Sequence, residues 1–210
     1  MKTEQMQFWE GSFGKEYTDR NPQNIDEMDA LYKKCFGVSR SEINKKFLED
    51  IPRNAKILEV GCNIGLQLQL LQKMGFTNLY GIELQEYAVE KAKTITKNIN
   101  IIQGSGFDIP FRDGYFNLVY TSGVLIHINP DHLPTIISEI YRCTSKYIFG
   151  FEYYAEKLTN ILYRGNEGYL WKNNFSNCYQ QAFKNLKTVK EEKYKYTDSE
   201  NVDQSFLLEK

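Results

Sequence analysis

Residues 56–75 read KILEVGCNIGLQLQLLQKMG, and this stretch decides the fold class. An apolar run that contains Glu59 is followed by Gly61 and Gly65, after which leucines recur at helical spacing. A short apolar strand that turns through glycines into a helix is typical of a parallel α/β sheet. Ligands bind such sheets beyond the carboxyl ends of the strands, so the loop 61–65 is a candidate binding site.

The rest of the chain continues the alternation of strands and helices. Apolar runs predict further strands at residues 78–84, 98–104, 116–123, 146–154, 186–196 and 202–210. Helical spacing predicts helices at 24–37, 39–51, 66–74, 85–96, 130–143 and 175–186. The last two strands are separated only by TDSEN, which is too short for a parallel crossover, so they must pair as an antiparallel hairpin. We therefore expect an α/β fold with a doubly wound, seven-stranded, mostly parallel sheet that ends in a C-terminal antiparallel hairpin.

The chain shows no internal repeat or linker, so residues 1–210 are predicted to form a single domain. We expect an N-terminal lid with helices at 1–50 and a cofactor-binding core at 55–150. A substrate loop is expected at 151–174, and the terminal helix and hairpin at 175–210. In the N-terminal part, turn signals stand at Gly11, Gly14 and Asn21-Pro22.

Composition excludes several classes of function. The chain has 26 Lys and Arg against 27 Asp and Glu, and a net charge of −1 does not favour a nucleic-acid-binding protein. Four scattered cysteines and two histidines have no metal-ligand spacing, so no metal site is expected. The N-terminus lacks an apolar signal-peptide core, and no apolar run approaches about 18 residues. We therefore expect a cytoplasmic protein with no membrane partner.

The loop after the first strand matches neither of two common nucleotide motifs. The dinucleotide fingerprint GxGxxG is absent, because Asn63 and Leu66 stand at glycine positions, and no GK[ST] of a P-loop follows. What remains is an acidic residue two positions before the first glycine, in the pattern ExGxNxG. The stretch ILEVGCNIG resembles motif I of class I S-adenosylmethionine-dependent methyltransferases, usually written (D/E)xGxGxG. Asn63 replaces the middle glycine of that motif, although asparagine tolerates left-handed backbone conformations better than most residues.

This resemblance implies S-adenosylmethionine as cofactor and S-adenosylhomocysteine as product. It implies that the glycine loop packs along the methionine part of the cofactor, and that Glu83 at the end of the second strand receives the two ribose hydroxyls. It places the adenine near residues 105–107 and the sulfonium near residues 121–123. The implied cofactor-binding residues are Glu59, Gly61, Cys62, Asn63, Gly65, Glu83, Leu84, Ser105, Gly106, Phe107, Thr121, Ser122 and Gly123. The alternatives are that the glycines only form a tight turn, that Glu59 is a loop hydrogen-bond partner and that Glu83 is a surface acid.

Three further motifs extend the resemblance over nearly the whole chain. FWEGSFGKEYTDRN at 8–21, GVLIHINP at 123–130 and YRGNEGYLWK at 163–172 resemble methylases found with pseudaminic acid biosynthesis genes. The resemblance implies a methyltransferase in nonulosonic acid or surface-glycan metabolism. Its partner would be a small sugar or nucleotide-sugar substrate, methylated on a hydroxyl or amine.

Residues outside the glycine loop supply candidates for closing the site and for catalysis. Trp9, Tyr17 and Arg20 could form a lid over the cofactor, with the guanidinium on the cofactor carboxylate; the alternative is a helical appendage packed on the sheet. His127 is the first candidate general base and Glu152 the second; a histidine that only shapes the pocket is the alternative.

The long segment 151–174 is expected to contact the substrate, since loops of that length are usually functional. Its candidate substrate-binding residues are Tyr153, Tyr163, Arg164 and Lys172, and packing of the loop on the core is the alternative. Two rival functions remain: a protein or small-metabolite methyltransferase, and a non-catalytic cofactor-binding protein. The sequence leaves the acceptor atom and the oligomeric state open.

Overall fold

A computed structural model describes residues 2–210 and has a seven-stranded sheet at its centre. The strands along the chain are β1 (Lys56–Val60), β2 (Asn78–Glu83), β3 (Asn100–Gln103), β4 (Phe116–Ser122), β5 (Thr144–Tyr153), β6 (Thr159–Asn160), β7 (Trp171–Lys172), β8 (Lys187–Lys195) and β9 (Val202–Glu209). The main sheet has the order β3-β2-β1-β4-β5-β9-β8, and β6 pairs with β7 in a separate two-stranded sheet. Strands β1 to β5 are parallel, whereas β9 runs antiparallel to both β5 and β8. The predicted doubly wound sheet with a terminal antiparallel hairpin is confirmed.

Eight α-helices surround the sheet in the described part of the chain. They are α1 (Glu4–Glu10), α2 (Ser12–Arg20), α3 (Ile25–Phe36), α4 (Arg40–Leu48), α5 (Leu66–Lys73), α6 (Glu86–Ile95), α7 (Leu133–Cys143) and α8 (Phe175–Ala182). Short 3₁₀ turns stand at Leu125–His127 and Pro130–His132. Local sequence explains the helix ends: Ser39 and Glu42 form a capping box at α4, and Gly37 ends α3 in the left-handed conformation.

Each face of the sheet buries its own apolar core. Residues such as Ile43 of α4 and Leu68 of α5 pack on one face. Ile136 of α7 and Phe175 of α8 pack on the other. Helices on both faces bury most residues of the central strands, in agreement with the largely apolar sequences of β1 and β4. A polar residue inside such a strand, like Glu59, therefore needs a specific reason to be there.

The N-terminal region differs from the sequence prediction at one glycine. Gly14 was expected to mark a turn, but it lies within α2. A Cβ atom at this position would lie 1.9 Å from the carbonyl oxygen of Trp9, so the glycine permits close packing of α2 against the end of α1. The break between the two helices falls at Gly11 instead.

Across residues 2–210, none of the helices combines the length and the apolar character that a bilayer crossing requires.

Candidate functional site

A cavity of about 320 Å³ lies at the carboxyl ends of the parallel strands, beneath the N-terminal helices. Its floor comes from the loops that follow β1, β2, β3 and β4, and its cover comes from α1, α2 and α3. This is the position at which open α/β sheets bind ligands. Of the predicted site residues, the cavity is lined by Trp9, Tyr17, Glu59, Gly61, Cys62, Asn63, Glu83, Leu84, Ser105, Gly106, Phe107, Ser122, Gly123 and His127. The other predicted site residues do not line the cavity; they are Arg20, Gly65, Thr121, Glu152, Tyr153, Tyr163, Arg164 and Lys172.

The loop after β1 turns through three left-handed residues. Gly61, Asn63 and Gly65 have φ values of 74°, 46° and 78°, so Asn63 takes the conformation expected of a residue that replaces glycine. The backbone N–H groups of Gly61 and Cys62 donate to the carbonyl of Ile82, at 2.8 and 3.2 Å. These bonds join the loop to the end of β2 and hold it at the edge of the cavity.

Glu83 is held rigidly at the end of β2 by two backbone donors. The N–H of Asn63 donates to Oε2 and the N–H of Gln85 donates to Oε1, both at 2.8 Å. The side chain is half-buried, and burial raises its pKa. Each carboxylate oxygen has a second lone pair, so the group can still accept two hydrogen bonds from vicinal hydroxyls.

Several buried polar atoms around the cavity lack a hydrogen-bond partner among residues 2–210. They are Trp9 Nε1, Glu59 Oε2, Asn63 Oδ1 and Gln67 Oε1. Glu59 is only 2 % exposed, and burial raises its pKa to about 8. Buried polar groups in folded proteins almost always have partners, so these atoms indicate a polar ligand or ordered water. The orphan carboxylate oxygen suits an ammonium group and Glu83 suits a ribose, so the residues present fit S-adenosylmethionine.

His127 is buried at the wall of the cavity, and one hydrogen bond defines its tautomer. Its Nδ1 lies 2.7 Å from the carbonyl oxygen of Tyr169. A carbonyl can only accept, so Nδ1 carries the proton and Nε2 keeps a free lone pair. Burial lowers the pKa of the ring to about 4. The imidazole is therefore neutral at physiological pH, and its centroid lies 4.6 Å from that of Trp9 and 5.1 Å from that of Tyr163.

Gln85 attaches the end of α1 to the core. Its Nε2 lies 3.2, 2.8 and 3.0 Å from the carbonyl oxygens of Trp9, Glu10 and Gly11. Its Oε1 accepts from the N–H of Tyr87 at 3.1 Å, which caps α6. One side chain thus connects the end of α1 to the segment that follows β2.

Further contacts fix the rest of the N-terminal cover. Asp19 of α2 accepts hydrogen bonds from Tyr87 at 2.7 Å and Lys91 at 3.2 Å, both on α6. On the other side, the ring of Phe8 lies 4.3 Å from that of Tyr169 in the 151–174 segment. Helices α1 and α2 therefore close the cavity by packing on two different parts of the chain.

The sequence analysis missed several residues that line the cavity. Gln85, Gln67 and three residues of α3, Met28, Leu31 and Tyr32, all line the cavity. The α3 residues have ordinary amphipathic spacing, which indicates a buried face without telling a core from a cavity. The position of Gln85, two residues after the end of β2, was the available signal, since ligand-side residues cluster at that edge.

Two of the predicted residues, Glu152 and Thr121, are buried in the protein and do not line the cavity. Glu152 is 1 % exposed, accepts from the N–H of Val124 at 3.3 Å, and has its pKa raised to about 7 by burial. Glu152 therefore contacts the loop that carries His127 and does not line the cavity, and its role as a base stays a prediction. Thr121 is also buried, and its hydroxyl is a partner of that carboxylate.

Arg20 is exposed and stacks on two aromatic rings. Its guanidinium lies 4.8 Å from the ring centroid of Phe13 and 5.3 Å from that of Tyr17. Tyr17 lines the cavity but Arg20 does not, so the contact of Arg20 with the cofactor carboxylate stays a prediction.

The 151–174 segment packs on the core and on α2. Lys172 donates to the Asn201 side chain at 2.7 Å and lies over the ring of Tyr153 at 4.1 Å. Tyr163 packs between Phe13 and His127, so it supports the wall of the cavity from behind. Arg164 is exposed in a turn with a φ of 49°. Direct substrate contact by these four residues stays a prediction.

The central part of the chain is similar to known methyltransferases. Residues 58–147 match a family model described as a methyltransferase domain. An uncharacterized methyltransferase of Synechocystis is 33% identical over 87 residues, which is 41% of this chain and 41% of that protein. The 24-methylenesterol C-methyltransferase 2 of Arabidopsis thaliana is 29% identical over 93 residues, which is 41% of this chain and 25% of that protein. The chain thus spans less than half the length of these curated relatives.

Solved structures have the same fold. A protein of Pyrococcus horikoshii superposes with a TM-score of 0.69 at 18% identity, covering 92% of this chain and 98% of that one. The 1,6-didemethyltoxoflavin-N1-methyltransferase of Burkholderia thailandensis, solved with S-adenosylhomocysteine bound, gives a TM-score of 0.65 at 13% identity, covering 81% and 76%. The chain therefore has the class I methyltransferase fold, residues 58–147 are similar to a methyltransferase domain, and S-adenosylmethionine is supported as the cofactor.

Proposed function

We propose that this chain is an S-adenosylmethionine-dependent methyltransferase that acts on a hydroxyl or amine of a small molecule. The observation that carries this proposal is the pair of carboxylates at the glycine loop. Glu83 is oriented by two backbone N–H groups. Glu59 also lines the cavity, and its Oε2 has no hydrogen-bond partner among the residues that the structure describes. A site that only made a tight turn would not need a buried and a half-buried acid beside a cavity.

Different residues of the chain would bind different parts of the cofactor. Glu83 would accept from the ribose hydroxyls, and Glu59 would pair with the ammonium group. Ile82, Phe107 and Ile136 form an apolar part of the wall that suits a flat adenine ring. When bound, S-adenosylmethionine supplies an electrophilic methyl group.

His127 is the candidate proton acceptor. Its neutral ring has a free lone pair on Nε2 and belongs to the cavity wall. Its pKa of about 4 makes it a weak base, which suffices because a hydroxyl becomes a strong acid as its oxygen bonds to the methyl carbon. Most of the rate enhancement would come from holding the acceptor against the methyl group, which the packed helices above the cavity favour.

The finer proposal concerns the acceptor, for which the sequence motifs indicate a nonulosonic sugar or its precursor. Among the described residues, the cavity lining includes no lysine or arginine. The carboxylate of a nonulosonic acid would be costly to bury there without a cation, so it would remain at the rim. Exposed Arg20 and Arg164 are available outside the cavity to pair with it, while a neutral hydroxyl or amine enters.

A second candidate acceptor is an apolar molecule. Met6, Trp9, Met28 and Leu31 make the part of the cavity under the N-terminal helices largely apolar. The Arabidopsis relative is named as a sterol methyltransferase, which agrees with such a lining. This candidate needs no charged partner at the rim.

Transfer of tritiated methyl from S-adenosylmethionine separates these candidates. A nonulosonic acid, its neutral methyl ester, a sterol and a cell-lysate protein pool would be offered in parallel. Label in the sugars supports the first proposal, and label in the sterol alone supports the second. Label confined to protein would contradict both. Tight binding of S-adenosylhomocysteine without label in any pool would indicate a non-catalytic cofactor-binding protein.

A further inference from the structure

Gln85 is a buried side chain whose amide connects two helices. It is 8% exposed, and its Oε1 accepts from the N–H of Tyr87, which caps α6. Because Oε1 accepts there, Nε2 is the end that donates, and it lies 2.8–3.2 Å from the carbonyl oxygens of Trp9, Glu10 and Gly11. A serine would cap α6 equally well but would not reach these carbonyls, so the longer side chain indicates a second role.

Helix α1 has little stability of its own, so its position depends on contacts such as this one. It has seven residues, none of them buried, and helices this short are not stable in isolation. The last carbonyls of a helix have no partner inside it, and Gln85 supplies donors to those of α1. Gly14 leaves room for the contact, since a Cβ atom there would lie 1.9 Å from the Trp9 carbonyl oxygen and 3.2 Å from Gln85 Nε2.

Trp9 is held by this contact, and its ring packs on His127. The two ring centroids lie 4.6 Å apart, with an interplanar angle of 59°. Phe13 and Tyr17 of α2 pack edge-on against the same indole, at 5.4 and 5.1 Å. Both Trp9 and His127 line the cavity, so the indole excludes water from one side of the imidazole within the cavity wall.

The state of the His127 ring depends on how well water is excluded from it. Burial is the main cause of its lowered pKa, and the bond to the Tyr169 carbonyl acts in the opposite direction. The titratable side chains of the elements packed around His127 and Trp9 are Tyr17, Glu152, Tyr163 and Lys172. Glu152 and Lys172 are bound to other groups, and Tyr163 is in ring contact at 5.1 Å.

We infer that Gln85 is a positioning residue of this site: by holding the carbonyl end of α1 it keeps Trp9 packed on His127, so that bulk water is excluded from the proton acceptor. The inference rests on the proposed function, because it concerns the proposed proton acceptor. The backbone N–H of Gln85 also donates to Glu83 Oε1 at 2.8 Å. One residue thus orients the proposed ribose-binding acid and the helix that covers the proposed base.

The test uses Gln85→Ser, because serine caps a helix but is too short to reach α1. In a His132→Gln background His127 is the single histidine of the chain, so NMR titration measures its pKa directly. This pKa should rise from about 4 to above about 5, toward the value of about 6.5 of an exposed histidine. Amide hydrogen exchange should accelerate by about tenfold in α1 and stay unchanged in α6, which the serine still caps.

Gln103→Ser is the matched control. The Gln103 amide also donates to a backbone carbonyl, that of Leu84 at 3.3 Å, but Gln103 is exposed and does not line the cavity. This variant should leave the pKa of His127 and the exchange of α1 as in wild type.

Trp9→Ala shows whether Gln85 acts through Trp9. It should raise the pKa of His127 by itself, and adding Gln85→Ser should cause no further rise, because both changes remove the same contact. Gln85→Asn, whose shorter amide also caps a helix, takes the place of Gln85→Ser if that variant does not fold.

Two results would overturn the inference and leave the proposed function standing. One is an unchanged pKa of His127 in Gln85→Ser or Trp9→Ala, which would leave Gln85 with a purely structural role. The other is exchange in α1 that does not respond to loss of the Gln85 amide. Failure of the wild-type chain to bind S-adenosylhomocysteine in calorimetric titration would instead overturn the proposed function, and the inference with it.

Discussion

At the residue scale, the chemistry of the site depends on side chains whose charge state is set by their immediate neighbours. Glu83 stands between two backbone donors, and His127 donates to a backbone carbonyl. In both cases a hydrogen bond to the backbone orients the side chain, and a lone pair of the same group stays available to a ligand. The orientation of each group therefore does not depend on the ligand being present.

The tautomer of His127 gives a direct prediction. Because the pKa of the buried ring is lowered to about 4, the imidazole should remain neutral, with its proton on Nδ1, as the pH falls from 8 to 6. Nitrogen-15 NMR of the ring measures both properties. A His132→Gln variant leaves a single set of histidine signals and removes any ambiguity of assignment. A ring that titrates between pH 6 and 7, or that carries its proton on Nε2, would contradict this assignment.

Sequence reasoning reached the residues that stand at strand ends. Glu83 was predicted because a resemblance and a strand boundary coincided there, and Asn63 because asparagine accepts a left-handed conformation. Glu152 also stands near a strand end, but its side chain turns to the backbone of the neighbouring loop. A sequence does not tell which face of a strand end meets a cavity and which meets a loop. The burial of Arg40 at the start of α4 was also missed, because charged residues are almost always exposed and no local pattern marks this one.

At the scale of elements, the N-terminal helices depend on a close approach. Helices α1 and α2 meet at Gly11, and the carbonyl of Trp9 occupies the space that a side chain at position 14 would need. Together with the three contacts from Gln85, this fixes the cover of the cavity. The aromatic content of the segment predicted a lid. Its attachment to Gln85 could not be predicted locally, because Gln85 and Glu10 lie 75 positions apart along the chain.

Gly14→Ala should loosen this cover. The added methyl group would overlap the Trp9 carbonyl oxygen, and overpacking of this kind costs about 1–3 kcal/mol. Amide hydrogen exchange over residues 4–20 should accelerate by about tenfold or more, since 1.4 kcal/mol corresponds to a factor of ten. Ser12→Ala, on the exposed side of the same helix, is the control and should exchange like wild type. Equal exchange in both variants would show that the close approach is not needed.

At the scale of the whole molecule, the sheet carries three buried carboxyl groups whose pKa values burial raises. These are Glu59 at about 8, Glu152 at about 7 and Asp203 at about 7. An acid with a raised pKa stabilises the folded state fully below its unfolded pKa, and that contribution is lost as the pH rises to the folded value. The free energy of unfolding of the ligand-free protein should therefore fall between about pH 4.5 and pH 8.

Glu152→Gln isolates one of these groups. The glutamine can still accept from the N–H of Val124 but does not titrate, so the decline in stability between pH 5 and pH 8 should be smaller than in wild type. Urea denaturation at pH 5 and at pH 8 measures this decline in the free energy of unfolding. Glu191→Gln, an exposed acid on β8, should follow the wild-type curve. A Glu152→Gln decline parallel to wild type would mean that Glu152 is already ionised in the folded protein.

The architecture as a whole was predictable from the sequence for simple reasons. Short apolar strands alternate with amphipathic helices, and the short connection that contains TDSEN allows β8 and β9 to pair only in the antiparallel direction. The 151–174 segment was harder to predict from the sequence. Its fold depends on a two-residue pairing, Thr159–Asn160 with Trp171–Lys172, and on contacts to α1 and α2 that no local pattern encodes.

Calorimetric titration of the intact chain with S-adenosylhomocysteine tests the central claim most directly. We predict micromolar binding at one site per chain, at least tenfold weaker in Glu83→Gln because one hydroxyl-accepting oxygen is replaced by a donor. Glu86→Gln, an exposed acid three residues away, serves as the control and should bind like wild type. Absence of binding at millimolar ligand, or equal affinity in Glu83→Gln, would contradict a cofactor site at the glycine loop.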